Sequence, residues 1–273
     1  MRSFAVADLA GFRALTRRLI AARVSPVEVT LTDALAGQMG LIAADTGDDL
    51  APADEGQALS IPRALGELVT RVACHRDEGR WQLLYRVIHR TCHGERHLVE
   101  VAADPDMARL LSFDAAIRRD VHKTHAFVRF RRVEVDDGER FVAFHRPDHR
   151  VLPLAVALFL DRFASMRWSI LTPDASAHWD GHELTWSGGV TAREAPAPDE
   201  LEALFRDYYR ATFNPARLNL RAMRAEMPQK HWPTMPETEA LPAMIREATE
   251  RVDAMLLPQV PGRRGRLAAR RRS

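Results

Sequence analysis

The turn Asp136-Asp137-Gly138, flanked on both sides by aromatic and β-branched residues, constrains the fold more than any other stretch. Ala126–Val133 leads into it and Arg140–His145 leads out. Asp-Gly between two such runs predicts a β-hairpin, because glycine supplies the positive φ that a tight turn requires. On the first strand Arg129 and Arg131 would share a face, since side chains two apart point the same way. His122, His125, His145 and His149 cluster at the margins, beside Lys123, one of only two lysines in the chain (Lys230 is the other). A sheet face needs no such concentration of donors to fold, so the hairpin is the first place to look for chemistry.

The rest of the chain surrounds it with helices. Ser3–Val6 predicts a short strand, the arginine-interleaved apolar residues up to Ile20 an amphipathic helix, and Val27–Leu31 another strand. Thr46–Gln57 reads as a loop. Pro62 opens a helix toward His75, Trp81, Leu84, Tyr85 and Ile88 mark a second, and a third runs from about Asp106 to Val121. Beyond the hairpin, Pro153–Met166 predicts a helix with Leu154, Ala157 and Leu158 on its apolar face. Arg167–Thr172 predicts a strand, and Ser176–Trp186 a second hairpin around Asp180-Gly181. Ser187–Pro198 resembles a linker, and Glu200–Thr212, Pro215–Glu226 and Glu237–Leu257 read as helices. The expected class is α+β: a helical N-terminal part, a central, mostly antiparallel sheet and a helical C-terminal part. Residues 1–257 form one domain in this reading, with a sub-boundary near 187–198, followed by a disordered arginine-rich tail over 258–273.

Charge narrows the partners. Of the net +2, Arg263, Arg264, Arg266, Arg270, Arg271 and Arg272 all lie in the tail, and the rest of the chain is net acidic. An anionic partner would therefore meet a local stripe or the tail, not a globally basic body. No apolar run approaches the roughly 20 residues of a membrane helix, and the N-terminus lacks a secretory signal. Cys74 and Cys92 have neither metal nor disulfide spacing, which points to a reducing cytoplasm.

Missing motifs exclude whole chemistries. The chain has no P-loop, no Gly-x-Gly-x-x-Gly after a strand, no Gly-x-Ser-x-Gly elbow, no His-Glu-x-x-His and no Pro-Cys-x-x-Cys. Two distant cysteines cannot hold an iron–sulfur cluster. The pairs His122/His125 and His145/His149 are spaced for metal, but no carboxylate is placed to complete them, so no metal is assigned. Late in the chain, Tyr208-Tyr209, Asn214-Pro215, Arg217, Arg221, Arg224, Lys230 and Trp232 combine cations with aromatic rings. Asn214 before Pro215 is a helix start. Arginine beside exposed rings is what a single-stranded or flipped-base site uses.

Three motifs carry a resemblance. Phe213-Asn214-Pro215-Ala216-Arg217-Leu218 with Ala222-Met223 and Glu226-Met227-Pro228 is one; His122-Lys123 with Ala126–Arg131 is the second. Arg162-Phe163, Met166, Trp168 and Ile170–Pro173 form the third. Together they resemble a bacterial family assigned to DNA metabolism and DNA repair, over about Phe4 to Leu257. Family members are encoded beside a radical SAM protein or fused to a uracil-DNA-glycosylase-superfamily domain. Thr124 departs from a usual methionine, and Phe144 and Arg146 stand where tryptophan and an acid are frequent. The resemblance implies an accessory protein that binds damaged or single-stranded DNA, with the iron–sulfur cluster and SAM in the partner and no cofactor in this chain. Lys123, Arg129, Arg131, Arg167, Arg217, Arg221 and Lys230 would meet the nucleic acid through phosphates. Trp168, Tyr209 or Trp232 would stack on a base, near the Asn214 helix start. The alternative is a stand-alone enzyme acting on a modified base or nucleotide, with His122 and His149 as its acid–base pair and Arg129 or Arg167 stabilising developing charge.

Overall fold

A computed structural model describes residues 1–34, 60–135, 138–194 and 219–256. The loop expected over Thr46–Gln57, the Asp136-Asp137 turn residues, the helix expected over Glu200–Thr212 and the arginine tail lie outside the described residues. The chain divides into two compact units, residues 1–196 and 197–273.

The first unit begins with β1 (Arg2–Val6), α1 (Leu9–Ala21) and β2 (Val29–Asp33), with the two strands paired in parallel. Asp8 starts α1 by accepting the Gly11 N–H at 2.7 Å, satisfying a donor that the first helical turn leaves orphaned. Helices α2 (Arg63–Val72), α3 (Arg80–Cys92) and α4 (Pro105–Phe127) follow. Phe4, Phe12, Leu19, Leu65, Trp81, Leu84, Tyr85, Met107 and Leu110 form one buried core with these elements. Asp104 caps α4 through the Asp106 and Met107 N–H groups, with Pro105 in the first turn.

Helix α4 runs six residues past Val121, so His122–Phe127 are helical and the first hairpin strand is only β3 (Arg131–Val135). The aromatic and β-branched residues Phe127, Val128 and Phe130 favour an extended chain over Ala126–Phe130. The observed burial instead has helical spacing: Ile117, Asp120, Thr124 and Phe127 are buried on one stripe. That stripe overrides local propensity.

β3 pairs antiparallel with β4 (Gly138–Phe144), and Gly138 adopts the positive φ expected of the turn. Helix α5 (Leu152–Arg162) then crosses over to β5 (Trp168–Leu171), parallel to β4; β6 (Ala175–Trp179) and β7 (Leu184–Gly188) add antiparallel strands. The order is β3-β4-β5-β6-β7, a mixed sheet with one parallel pair, so the α+β class and the mostly antiparallel sheet both hold. Helix α5 buries Leu152, Ala155, Val156 and Phe159 against Ala143, Trp168, Ile170 and Ala177. The apolar face expected at Leu154, Ala157 and Leu158 is rotated away; Leu158 is exposed. Immediately after β7, Gly189 passes so close to Pro173 that a Cβ there would lie 2.0 Å from the Pro173 carbonyl oxygen.

In the second unit, α6 (Leu220–Glu226) is capped by Asn219, and two 3-10 turns, Gln229–Thr234 and Pro236–Ala240, lead into α7 (Leu241–Leu256). Pro228, Pro233 and Pro236 keep the turns from merging into one helix.

Candidate functional site

Two polar constellations stand out in the first unit. The first is the corner where the α2–α3 loop meets residues 145–150. The Arg150 N–H donates to the Cys74 carbonyl, and the Arg76 guanidinium forks onto the Asp174 carboxylate while its Nε donates to the Asp148 carbonyl. Phe113, His75 and His149 stack in sequence at 3.9 and 4.2 Å. The His75 Nδ1 accepts the Asp77 N–H, and the His149 Nδ1 accepts the Arg76 N–H. Burial lowers the pKa of His75 to about 4, helped by the neighbouring His149, and burial also lowers that of His149. Below them Asp33 accepts Arg80 and Arg150, each at 2.8 Å. Burial alone would raise the Asp33 pKa, but those two guanidinium groups hold it below the usual carboxylate range. The corner is thus a closed set of paired charges joining the N-terminal elements to the hairpin.

This geometry bears directly on the expected acid–base pair. His149 reaches α4 through its backbone N–H, which donates to the buried Asp120. His122 lies two residues further on, about 200° around the helix, and it is exposed. The structure does not bring the two rings together. His125 contacts the Ala155 carbonyl at 3.0 Å and His145 is fully buried. Among the described residues, no group of three or more His, Cys, Asp or Glu side chains is arranged to hold a metal ion. Burial pushes the Cys74 thiol up to about 11 and raises that of Cys92, which disfavours the thiolate a metal would need.

The second constellation is the sheet face opposite α5. Residues paired across strands share a face, so the register defines three rungs. Val133 and Arg140 form the first, and Arg167, one residue before β5, continues it. Arg131, Val142, Ser169, His178 and Thr185 form the second. Phe144, Leu171, Ser176 and Ser187 form the third. Successive rungs are about 7 Å apart and neighbouring strands about 4.8 Å. The carboxylates of the described strand residues, Glu134 and Glu139, both point to the other face, where Glu139 pairs with Arg132 at 3.2 Å. Val133, Val142, Phe144 and Leu171 are half-buried and outside the α5 core. One face of the sheet is therefore core, and the other is, among the described strand residues, an acid-free field of arginine, histidine, hydroxyl and apolar groups.

Within this field His178 is held from both sides. Its Nδ1 lies 2.9 Å from the Ser169 Oγ and its Nε2 lies 2.8 Å from the Ser187 Oγ. Burial, and next the positive charge of Arg140, lower its pKa, so the ring is neutral at pH 7.

The whole five-stranded sheet lies inside a stretch that decides the family. Residues 78–237 match the model of a domain of unknown function, DUF4130. The chain belongs to the DUF4130 family. No curated protein and no solved structure matches it. The DUF4130 match includes Arg80, Asp120, His149, Arg150 and all three rungs; Asp33, Cys74, His75 and Arg76 precede it.

Of the residues singled out from the sequence, Arg131 and Arg167 share the acid-free face. Arg129 does not join them: its guanidinium turns back onto the Ala126 and Val128 carbonyls at 2.6 and 3.2 Å, where a helix C-terminus attracts cations. Lys123 is on α4, which packs on α5 and so belongs to the covered side of the sheet. Trp168 is fully buried in the α5 core and cannot stack on a base; its indole fills the layer between helix and sheet instead. Tyr209, Asn214 and Arg217 lie outside the described residues. Arg221, Lys230 and Trp232 belong to the second unit, where Arg221 and Lys230 are exposed and the Trp232 Nε1 donates to the Met227 carbonyl. Sequence reasoning missed Arg140, Phe144 and His178, whose shared face follows from a register that no local pattern reveals. No helix among the described residues is long and apolar enough to cross a membrane.

Proposed function

We propose that this DUF4130 protein is a DNA-metabolism protein that lays single-stranded or locally unpaired DNA across the acid-free face of its central sheet. The observation that carries the reading is the sorting of charge by the sheet register. Arg131, Arg140 and Arg167 face one way with His178 and three serines, while both strand carboxylates face the other. Guanidinium groups on such a grid, with the exposed Ser187 hydroxyl beside them, suit phosphate oxygens, which fix position without reading sequence; Ser169 and Ser176 are buried beneath the face. Phe144, half-buried on the same face, takes the base-stacking role first given to Trp168. The accessory role beside a radical SAM repair enzyme, or a uracil-DNA-glycosylase-superfamily protein, is part of the same proposal. It is supported by the family motifs and by two thiols whose environment disfavours cluster ligation.

Fluorescence anisotropy with a labelled single-stranded oligonucleotide over a salt series tests the reading. Arg131→Ala with Arg140→Ala should flatten the log–log salt slope by about 1.4, at about 0.7 per phosphate contact on a single strand. Phe144→Ala should weaken binding by about 1–3 kcal/mol with the slope unchanged. Absence of wild-type binding at low salt, or a slope indifferent to the two arginines, would overturn it.

A further inference from the structure

We propose that Ser187 is a nucleophile, activated by His178 and positioned by way of Ser169, that attacks phosphate esters held against the acid-free face of the sheet. Three neighbouring strands supply the groups: Ser169 from β5, His178 from β6 and Ser187 from β7. Both ring nitrogens of His178 are engaged, at 2.9 Å and 2.8 Å, and the two serines differ in exposure. Ser169 is 4% exposed, whereas Ser187 is open to solvent on the edge strand. An accessible hydroxyl, a base within hydrogen-bond reach and a buried partner that orients the base make the arrangement that serine nucleophiles require. With Nδ1–H donating to the Ser169 Oγ, the Nε2 lone pair faces the Ser187 hydroxyl. The neutral state of the ring, set by burial and by Arg140, is the one a general base needs.

In the reaction the Ser187 Oγ forms a bond to phosphorus and its proton passes to Nε2. The ester P–O bond breaks, and the leaving oxygen takes that proton back from the imidazolium. Water then hydrolyses the phosphoserine ester by the same route. Ser187 and His178 are the catalytic residues, and Ser169 is a positioning residue. The substrate class rests on the nucleic-acid reading above; the activation of Ser187 does not.

A fluorophosphonate probe tests that activation without any nucleic acid. Its P–F bond breaks as the Ser187 Oγ–P bond forms, and fluoride leaves. The full chain should be labelled on Ser187, located by peptide mass spectrometry, and Ser187→Ala on the exposed edge should abolish labelling with an unchanged melting temperature. His178→Gln should slow labelling at least about 100-fold, and Ser169→Ala should displace the pH midpoint of the labelling rate. Labelling that misses Ser187, or that proceeds equally fast in His178→Gln, overturns the proposal. Because the probe carries no base or phosphodiester, loss of oligonucleotide binding would remove the nucleic-acid reading and leave this result intact.

Discussion

Replacing Asp33 by asparagine tests the claim that the N-terminal elements and the hairpin are pinned by one carboxylate. The Asp33 and Arg80 side chains are each 1% exposed and their ion pair is 2.8 Å long; Arg150 reaches the same oxygen from the 145–150 loop. The amide keeps the shape and removes the charge. Arg80 is then left in the core with the Ala73 and Asp77 carbonyls and the Trp81 ring face at 4.4 Å. Breaking a buried pair from one side costs about 3–5 kcal/mol, because the remaining ion is uncompensated. For a unit of this size that lowers the melting temperature by about 6–20 °C, at about 2–4 °C per kcal/mol. Thermal unfolding followed by far-UV circular dichroism reads the shift. Glu67→Gln is the control: its pair with Arg63 is largely solvent-exposed, and exposed pairs contribute little. Adding Arg80→Met to Asp33→Asn should recover part of the loss, since an apolar side chain tolerates the same site. If Asp33→Asn melts within a degree or two of Glu67→Gln, the corner does not hold the unit together and the reasoning fails.

Three further outcomes follow from the same contacts. Gly189→Ala forces a Cβ against the Pro173 carbonyl and should cost about 1–3 kcal/mol by urea unfolding, while Gly188→Ala, with open space around it, should cost less. Trp168→Ala should cost about 3–5 kcal/mol as a core truncation, and any loss of DNA binding should track unfolding. Stability should also fall on acidification: the native pKa values of His75 and His149 lie below the unfolded value, so the unfolded chain takes up protons first. The loss begins near the unfolded pKa of about 6.5 and is complete for His75 below about 4. Allowing for solvent screening at half-buried rings, it should be about 1–2 kcal/mol; His75→Phe should flatten this part of a melting-temperature-versus-pH curve.

Local patterns in the sequence determined most of the elements. The positive-φ glycines Gly138 and Gly181 and the Asp104-Pro105 helix start are set by backbone preferences of the residues themselves, so the hairpins, helices and α+β class could be read directly. Tertiary structure decided what no short window contains. Helix α4 outran its local signal because its last two turns bury Thr124 and Phe127. Trp168 became core because α5 covers one face of the sheet, and Arg131, Arg140 and His178 came to share the other face because β4–β5 pair in parallel through a crossover. Side-chain type is a property of a position, but which charges share a surface depends on strand order and register. Those are fixed by burial of residues far apart along the chain.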